Sequence, residues 1–99
     1  LTPDEVTPEL HILDVRETWE RASGYLEGAH IPLGDLEALS EENLLQVVNP
    51  RVPLLVYCQK GLRSAKAVTY LQNKGFSQIF SLRGGYENWV TQRTETPLA

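Results

Sequence analysis

At 99 residues, with 41% hydrophobic and 22% charged, the chain has material for one modest core, because two cores of half that size would each need disulfides or metals to stand alone. A net charge of −4 argues against broad binding to nucleic acid or anionic lipid, both of which demand a basic patch. No apolar run approaches membrane-spanning length, and the lone cysteine, Cys58, excludes an internal disulfide and suits a reducing, cytoplasmic setting.

In chain order, Thr2-Pro3-Asp4-Glu5 carries a capping-box spacing with proline at the first helical position, which predicts a single helical turn limited by Thr7-Pro8. His11-Ile12-Leu13 reads as a short strand. Asp14 with Glu17 three residues later predicts a second helix start, with Val15, Trp19 and Ala22 on one apolar face and Gly24 at the end. Arg16 and Glu20 stand one turn apart and are expected to form an ordinary surface or half-buried ion pair. Ala29-His30-Ile31 predicts a brief strand before Pro32. Leu33 to Leu39 predicts a helical turn, and Ser40 opens a helix carrying Leu44, Leu45, Val47 and Val48 up to Asn49-Pro50.

Leu54 to Tyr57 is a four-residue apolar run between Pro53 and a polar loop, as in a strand buried on both faces. Cys58 follows at once. Then come Gln59, Lys60, Gly61, Leu62 and Arg63, and Ser64 is read as the N-cap of a helix that presents Ala67, Val68 and Leu71 on one face and stops at Gly75. Gln78 to Leu82 predicts a last strand, Gly84-Gly85 a tight turn rather than a phosphate cradle, and Tyr86, Trp89 and Val90 the apolar face of a last helix. Trp19 and Trp89 are both assigned to the core. Strands alternating with helices imply a three-layer α/β domain, a central parallel sheet flanked by helices.

A strand, a tight turn and a helix put Cys58 at the carboxyl end of a parallel strand and beside a helix N-terminus. Loop amides, the helix dipole, Lys60 and Arg63 all favour an anion there, which supports the thiolate form. The same donors suit a sulfur oxyanion or a phosphate. Loop length separates the two: Arg63 stands at Cys-x4-Arg, whereas a full phosphate cradle of the phosphatase kind has Cys-x5-Arg, and Ser64 occupies that position. A catalytic Cys-His pair with His30 would need the imidazole within about 3 Å of the thiol, and both His30 and His11 are read as structural. No Cys/His cluster has metal spacing and no glycine run has the dinucleotide pattern, so neither metal nor organic cofactor is expected.

The run Cys58-Gln59-Lys60-Gly61-Leu62-Arg63-Ser64 resembles the active-site loop of the rhodanese family of sulfurtransferases in its six-residue form. Leu13-Asp14-Val15-Arg16-Glu17-Thr18-Trp19-Glu20, continuing from Gly24 to Pro32, resembles the family's N-terminal signature, with Tyr25-Leu26 in place of the frequent His-Ile pair. Leu82-Arg83-Gly84-Gly85-Tyr86-Glu87-Asn88-Trp89 resembles its C-terminal one.

The resemblance implies a rhodanese-like fold over residues 1–99 and sulfur transfer through a Cys58 persulfide, with Gln59, Lys60, Gly61, Leu62, Arg63 and Ser64 forming the substrate-binding loop. It implies thiosulfate or a protein persulfide as donor and a thiol, cyanide or a sulfur-carrier protein as acceptor. Other classes within the resemblance are a phosphatase or arsenate reductase-like enzyme and a non-catalytic binding module, which in this family usually lacks the cysteine. The chain starts at Leu1 and holds no methionine, so it is expected to be either an exported protein already processed or, the favoured of the two, a domain of a longer polypeptide. The related adenylyltransferase/sulfurtransferases, which carry a C-terminal rhodanese domain, suggest one such context.

Overall fold

Four short apolar segments form the strands β1 (His11–Asp14), β2 (Ala29–His30), β3 (Leu54–Tyr57) and β4 (Ile79–Ser81). The computed structural model describes residues 1–7 and 9–95, with side-chain surroundings through residue 92. The sheet order is β2-β1-β3-β4 and every pairing is parallel. Parallel neighbours cannot be joined by a hairpin, so the chain crosses over between strands. The crossovers carry α1 (Leu33–Ala38), α2 (Glu41–Val47) and α3 (Leu62–Gln72), and α4 (Gly85–Glu95) follows the last strand.

Strand β3 shows how the layers arise. Its residues are buried throughout, and alternation sends Leu54 and Val56 to one face and Leu55 and Tyr57 to the other. The first face packs with Leu13, Leu36, Leu44, Ala67 and Leu71, drawn from β1, α1, α2 and α3. The second packs with Leu82, Tyr86 and Trp89 beside α4. Cys58 continues the alternation and joins the first face. Because Asp14 lies level with Tyr57 in the register, the residues after β1 and after β3 emerge side by side at the carboxyl edge of the sheet, where Val15 N–H donates to Tyr57 O at 3.0 Å.

Several local expectations hold and others change. The turn Pro3–Glu5 forms as a 3-10 helix, with Thr2 N–H donating to Glu5 Oε1 at 2.9 Å; Pro8, expected to limit it, lies outside the described residues. Ser40 caps α2 by accepting from Asn43 N–H. The segment Thr18–Ser23 is a 3-10 helix capped at Glu17, not an α-helix starting at Asp14. Val15 lies before this segment, directly after β1, so no common helix face joins it to Trp19: Val15 is buried while Trp19 is 76% exposed. Trp19 is therefore not a core residue. Trp89 is packed as expected, against the second cluster.

Asp14 is occupied elsewhere. Its carboxylate receives Arg16 Nε at 3.1 Å and Arg16 Nη2 at 3.1 Å, Arg21 Nη1 at 3.0 Å and the Tyr57 hydroxyl at 3.0 Å. The Arg16 guanidinium is fully buried and lies over the rings of Tyr57 and Tyr86, 5.2 and 4.6 Å from their centroids. It also donates to Gly24 O at 2.9 Å and Glu20 O at 3.3 Å. The expected Arg16–Glu20 carboxylate pair is absent among the described residues: a guanidinium taken out of water needs a carboxylate beside it, and Asp14, two residues away in the same sheet edge, is nearer. Burial on its own would push the Asp14 carboxyl up, but Arg16 and the Tyr57 hydroxyl hold it below the usual range. Burial pushes the Tyr57 phenol up to about 12.

The Gly84-Gly85 turn presses α4 onto the Cys58 loop. Tyr86 N–H donates to Cys58 O at 2.8 Å and Glu87 N–H to Gln59 O at 3.1 Å. Gly85 has φ +67°, and a Cβ there would lie 2.5 Å from each of those two carbonyl oxygens. In a trans peptide the N–H opposes the preceding C=O, so fixing these carbonyls on α4 aims the amides of Gln59 and Lys60 away from it.

Two outcomes are expected. Asp14→Asn strands the buried Arg16 charge and should cost about 3–5 kcal/mol in urea denaturation; in the wild type the depressed Asp14 value means stability is fully present above the ordinary carboxylate range, about 3.9, and is lost as pH falls through the folded-state value. Gly85→Ala should lower stability by more than the about 1–2 kcal/mol that left-handed backbone costs a residue with a Cβ, and should slow alkylation of Cys58 through the displaced loop.

Candidate active site

Strand β3 ends at Tyr57, so Cys58 stands at its carboxyl end with the loop beyond it free to curl back. Gly61 makes the curl possible, with φ +105° in the left-handed region. Helix α3 begins at Leu62 with Gly61 as its N-cap, which corrects the assignment of that role to Ser64. A left-handed glycine reverses the chain in three residues, and Ser64 falls inside the first helical turn with its side chain directed inward. There it is fully buried.

Two amides converge on the sulfur: Gly61 N–H donates to Cys58 Sγ at 3.1 Å and Ser64 N–H at 3.3 Å. The Ser64 hydroxyl lies 3.6 Å from Sγ, in position to accept from the thiol. It also donates to Gly61 O at 3.1 Å and shares a 2.7 Å hydrogen bond with the Ser81 hydroxyl at the end of β4. Among the described residues the amides of Gln59, Lys60, Leu62 and Arg63 have no protein acceptor. They remain available to an incoming anion.

Cys58 is 1% exposed, yet it forms part of the wall of a depression of about 350 Å³ shared with Glu20, Gln59, Lys60, Leu62 and Arg63. The sulfur is thus enclosed by its own loop, with the depression beside its residue. Leu62, at the rim, is 78% exposed. A neighbouring depression of about 400 Å³ shares Glu20 and Gln59 and is bounded by the exposed Trp19. A third, of about 360 Å³, lies at the opposite, amino end of β1 and β3 beside His11, Glu27 and Leu54, and offers no nucleophile.

The cations are disposed unequally. Lys60 is exposed and has no carboxylate partner among the described residues. Arg63 is bound in fork-to-fork fashion by Glu20, Nη1 to Oε1 at 2.6 Å and Nη2 to Oε2 at 2.8 Å. The pairing with Arg63 holds the Glu20 carboxyl below its ordinary value, and Glu20 in turn raises Arg63. Of the two cations assigned to the loop, one is already neutralised.

Arg16, expected only as an ion-pair partner of Glu20, touches the loop by donating to Gln59 Oε1 at 3.1 Å. His30 does not pair with the thiol; its Nε2 lies 2.8 Å from Arg16 O. Sequence reasoning therefore missed Glu20, Arg16, Ser81 and the α4 amides as neighbours of the site. Each reaches the loop across more than 16 positions of chain, and only the acidic residue in the Thr18–Ser23 turn carried any signal, as a partner for a cation.

An enclosed thiol with converging amides and spare N–H groups around it can act as a nucleophile and stabilise the anion that results. Comparison with known proteins agrees with the geometry. A family model described as the rhodanese-like domain matches residues 4–92. The thiosulfate sulfurtransferase GlpE of Pseudomonas putida is 34% identical over 86 residues, covering 86% of this chain and 74% of that protein. The tRNA uridine(34) hydroxylase of a Synechococcus strain is 33% identical over 94 residues, but this chain spans only 31% of its length. The crystal structure of a rhodanese-like domain protein from Staphylococcus aureus is 31% identical, superposes with a TM-score of 0.74, and the match covers 90% of this chain and 88% of that one. With the parallel order β2-β1-β3-β4, the cysteine loop after β3 and the match over residues 4–92, this chain belongs to the rhodanese-like family.

Proposed function

We propose that the chain is a sulfurtransferase in which Cys58 carries the transferred sulfur. The observation that carries this reading is the pair of amides, Gly61 and Ser64, donating to Sγ at 3.1 and 3.3 Å: such donors stabilise a thiolate before reaction and a persulfide anion after it. With thiosulfate as donor, Sγ attacks the outer sulfur. A new S–S bond forms, the bond to the sulfite sulfur breaks, and sulfite departs with the electron pair. An acceptor thiolate or cyanide then attacks the outer sulfur, the S–S bond to Sγ breaks, and the Cys58 thiolate is restored. Lys60 and the spare amides of the loop attract the anionic donor. Gln59, fixed by Arg16, shapes one wall of the depression.

The loop length supports sulfur over phosphate, since Ser64 sits where a phosphatase would place arginine and its hydroxyl is turned to the sulfur. Turnover of an aryl phosphate would reverse that preference. Service to a sulfur-carrier protein, as one domain of a longer adenylyltransferase/sulfurtransferase, is part of the same proposal; the coding region upstream of Leu1 tests it by the presence or absence of a nucleotide-binding domain.

Incubated with thiosulfate or glutathione persulfide, the protein should gain the mass of one sulfur atom, which cyanide removes and Cys58→Ser prevents. Failure of the wild type to load sulfur from either donor would overturn the reading. Ser64→Ala keeps the amide and removes only the hydroxyl, which accepts from the thiol and so favours the unreactive form; loading should be as fast as in the wild type or faster by up to about ten-fold, the effect of one neutral hydrogen bond of about 0.5–1.5 kcal/mol.

A further inference from the structure

The Glu20–Arg63 pair has a geometry that ordinary surface ion pairs lack. Both carboxylate oxygens are used, at 2.6 and 2.8 Å, and Glu20 is only 8% exposed. The acid is anchored at both ends: its Oε1 also accepts from Glu17 N–H at 2.9 Å, and its carbonyl receives Arg16 Nη1 at 3.3 Å and the Ser23 hydroxyl at 3.0 Å. Arg63 is therefore committed before any donor arrives, and the carboxylate lines the same depression as Cys58. Among the described residues, a small dianion approaching the sulfur meets one free cation, Lys60, and an ion pair without net charge, where an unpaired Arg63 would offer it a second cation. A donor of low charge loses less by that pairing.

We propose that Glu20 is a specificity-determining residue that sets the charge preference of the Cys58 site, disfavouring small dianionic donors such as thiosulfate relative to donors of low charge such as organic persulfides. As a statement about sulfur donors it rests on the sulfurtransferase reading. As a statement about the electrostatics of the depression it stands apart from that reading, and the test separates the two.

Iodoacetate and iodoacetamide alkylate a thiolate by the same displacement of iodide, have nearly the same shape and differ by one negative charge. The ratio of their rates at Cys58 reads the potential at the sulfur and cancels changes in thiolate fraction. Glu20→Gln keeps an oxygen for Glu17 N–H and frees the Arg63 charge; it should raise the iodoacetate-to-iodoacetamide ratio about five- to ten-fold at low salt, less at high salt. Arg63→Gln leaves the carboxylate bare and should lower the ratio below wild type. The double variant Glu20→Gln/Arg63→Gln removes both charges and should return it close to wild type. A purely structural role would alter both reagents alike and would not reverse sign between the two single variants. In sulfur transfer, Glu20→Gln should lower KM for thiosulfate, a dianion, several-fold and KM for benzenethiosulfonate, a monoanion that gives up the same outer sulfur, by a smaller factor.

An unchanged ratio in Glu20→Gln, in a protein with an intact urea transition, overturns the proposal; should that variant not fold, an unchanged ratio in Arg63→Gln does the same. A shifted ratio in a protein that loads sulfur from no donor supports the electrostatic role of Glu20 and defeats the sulfurtransferase reading instead.

Discussion

A positive charge sealed inside the protein organises the carboxyl edge of the sheet. Arg16 could not be buried without the Asp14 carboxylate, and once paired it spends its remaining donors on Gly24 O, Glu20 O and Gln59 Oε1. Those three bonds pin the Thr18–Ser23 turn and the Cys58 loop to the same point. The tyrosine rings of β3 and α4 close over the guanidinium, so the charge is also a packing centre for the second face of the sheet. Such an arrangement adds little net stability compared with apolar packing, since desolvation offsets most of the Coulomb attraction; its effect is positional. It sets Glu20 at the height where its carboxylate meets Arg63.

The loop is then shaped from two sides. On one side α4 takes the carbonyls of Cys58 and Gln59; on the other, the left-handed Gly61 turns the chain into α3 and brings the Ser64 amide back to the sulfur. Carbonyls outward and amides inward make a small positive concavity without any formal charge. This matters because, among the described residues, the formal charges of the loop nearly cancel: Arg63 is held by Glu20, and Lys60 is left without a carboxylate partner. The attraction for an anion at Cys58 therefore comes first from oriented backbone.

Much of this was legible in the chain itself. The apolar run before Cys58, the glycine three residues after it and the helix ending before Gly75 are local patterns, and local patterns survive folding when packing agrees with them. The parallel sheet was legible too, from strands alternating with helices. What failed did so where a residue had two available partners. Arg16 and Glu20 at i, i+4 spacing suggest each other, but Asp14 and Arg63 offer better geometry in three dimensions, and a spacing rule cannot weigh a partner 43 positions away. Trp19 looked like core because one helix was assumed to carry both Val15 and Trp19, whereas the 3-10 turn begins only at Thr18 and leaves Trp19 in solvent. Ser64 looked like a cap because serine usually is one ahead of an apolar helix face; the left-handed glycine before it made that service unnecessary and left the side chain for the sulfur.

The seating of the loop on the last helix has a dynamic corollary. Regions of a protein open locally with free energies well below that of global unfolding, and the carbonyls of Cys58 and Gln59 are released whenever the first turn of α4 lifts. The lifetime of the sulfur-binding shape is thereby tied to the fraying of a C-terminal segment that contains none of the residues touching the sulfur. Hydrogen exchange at Tyr86 and Glu87 thus reports, from a distance, how often the nest around the cysteine exists at all.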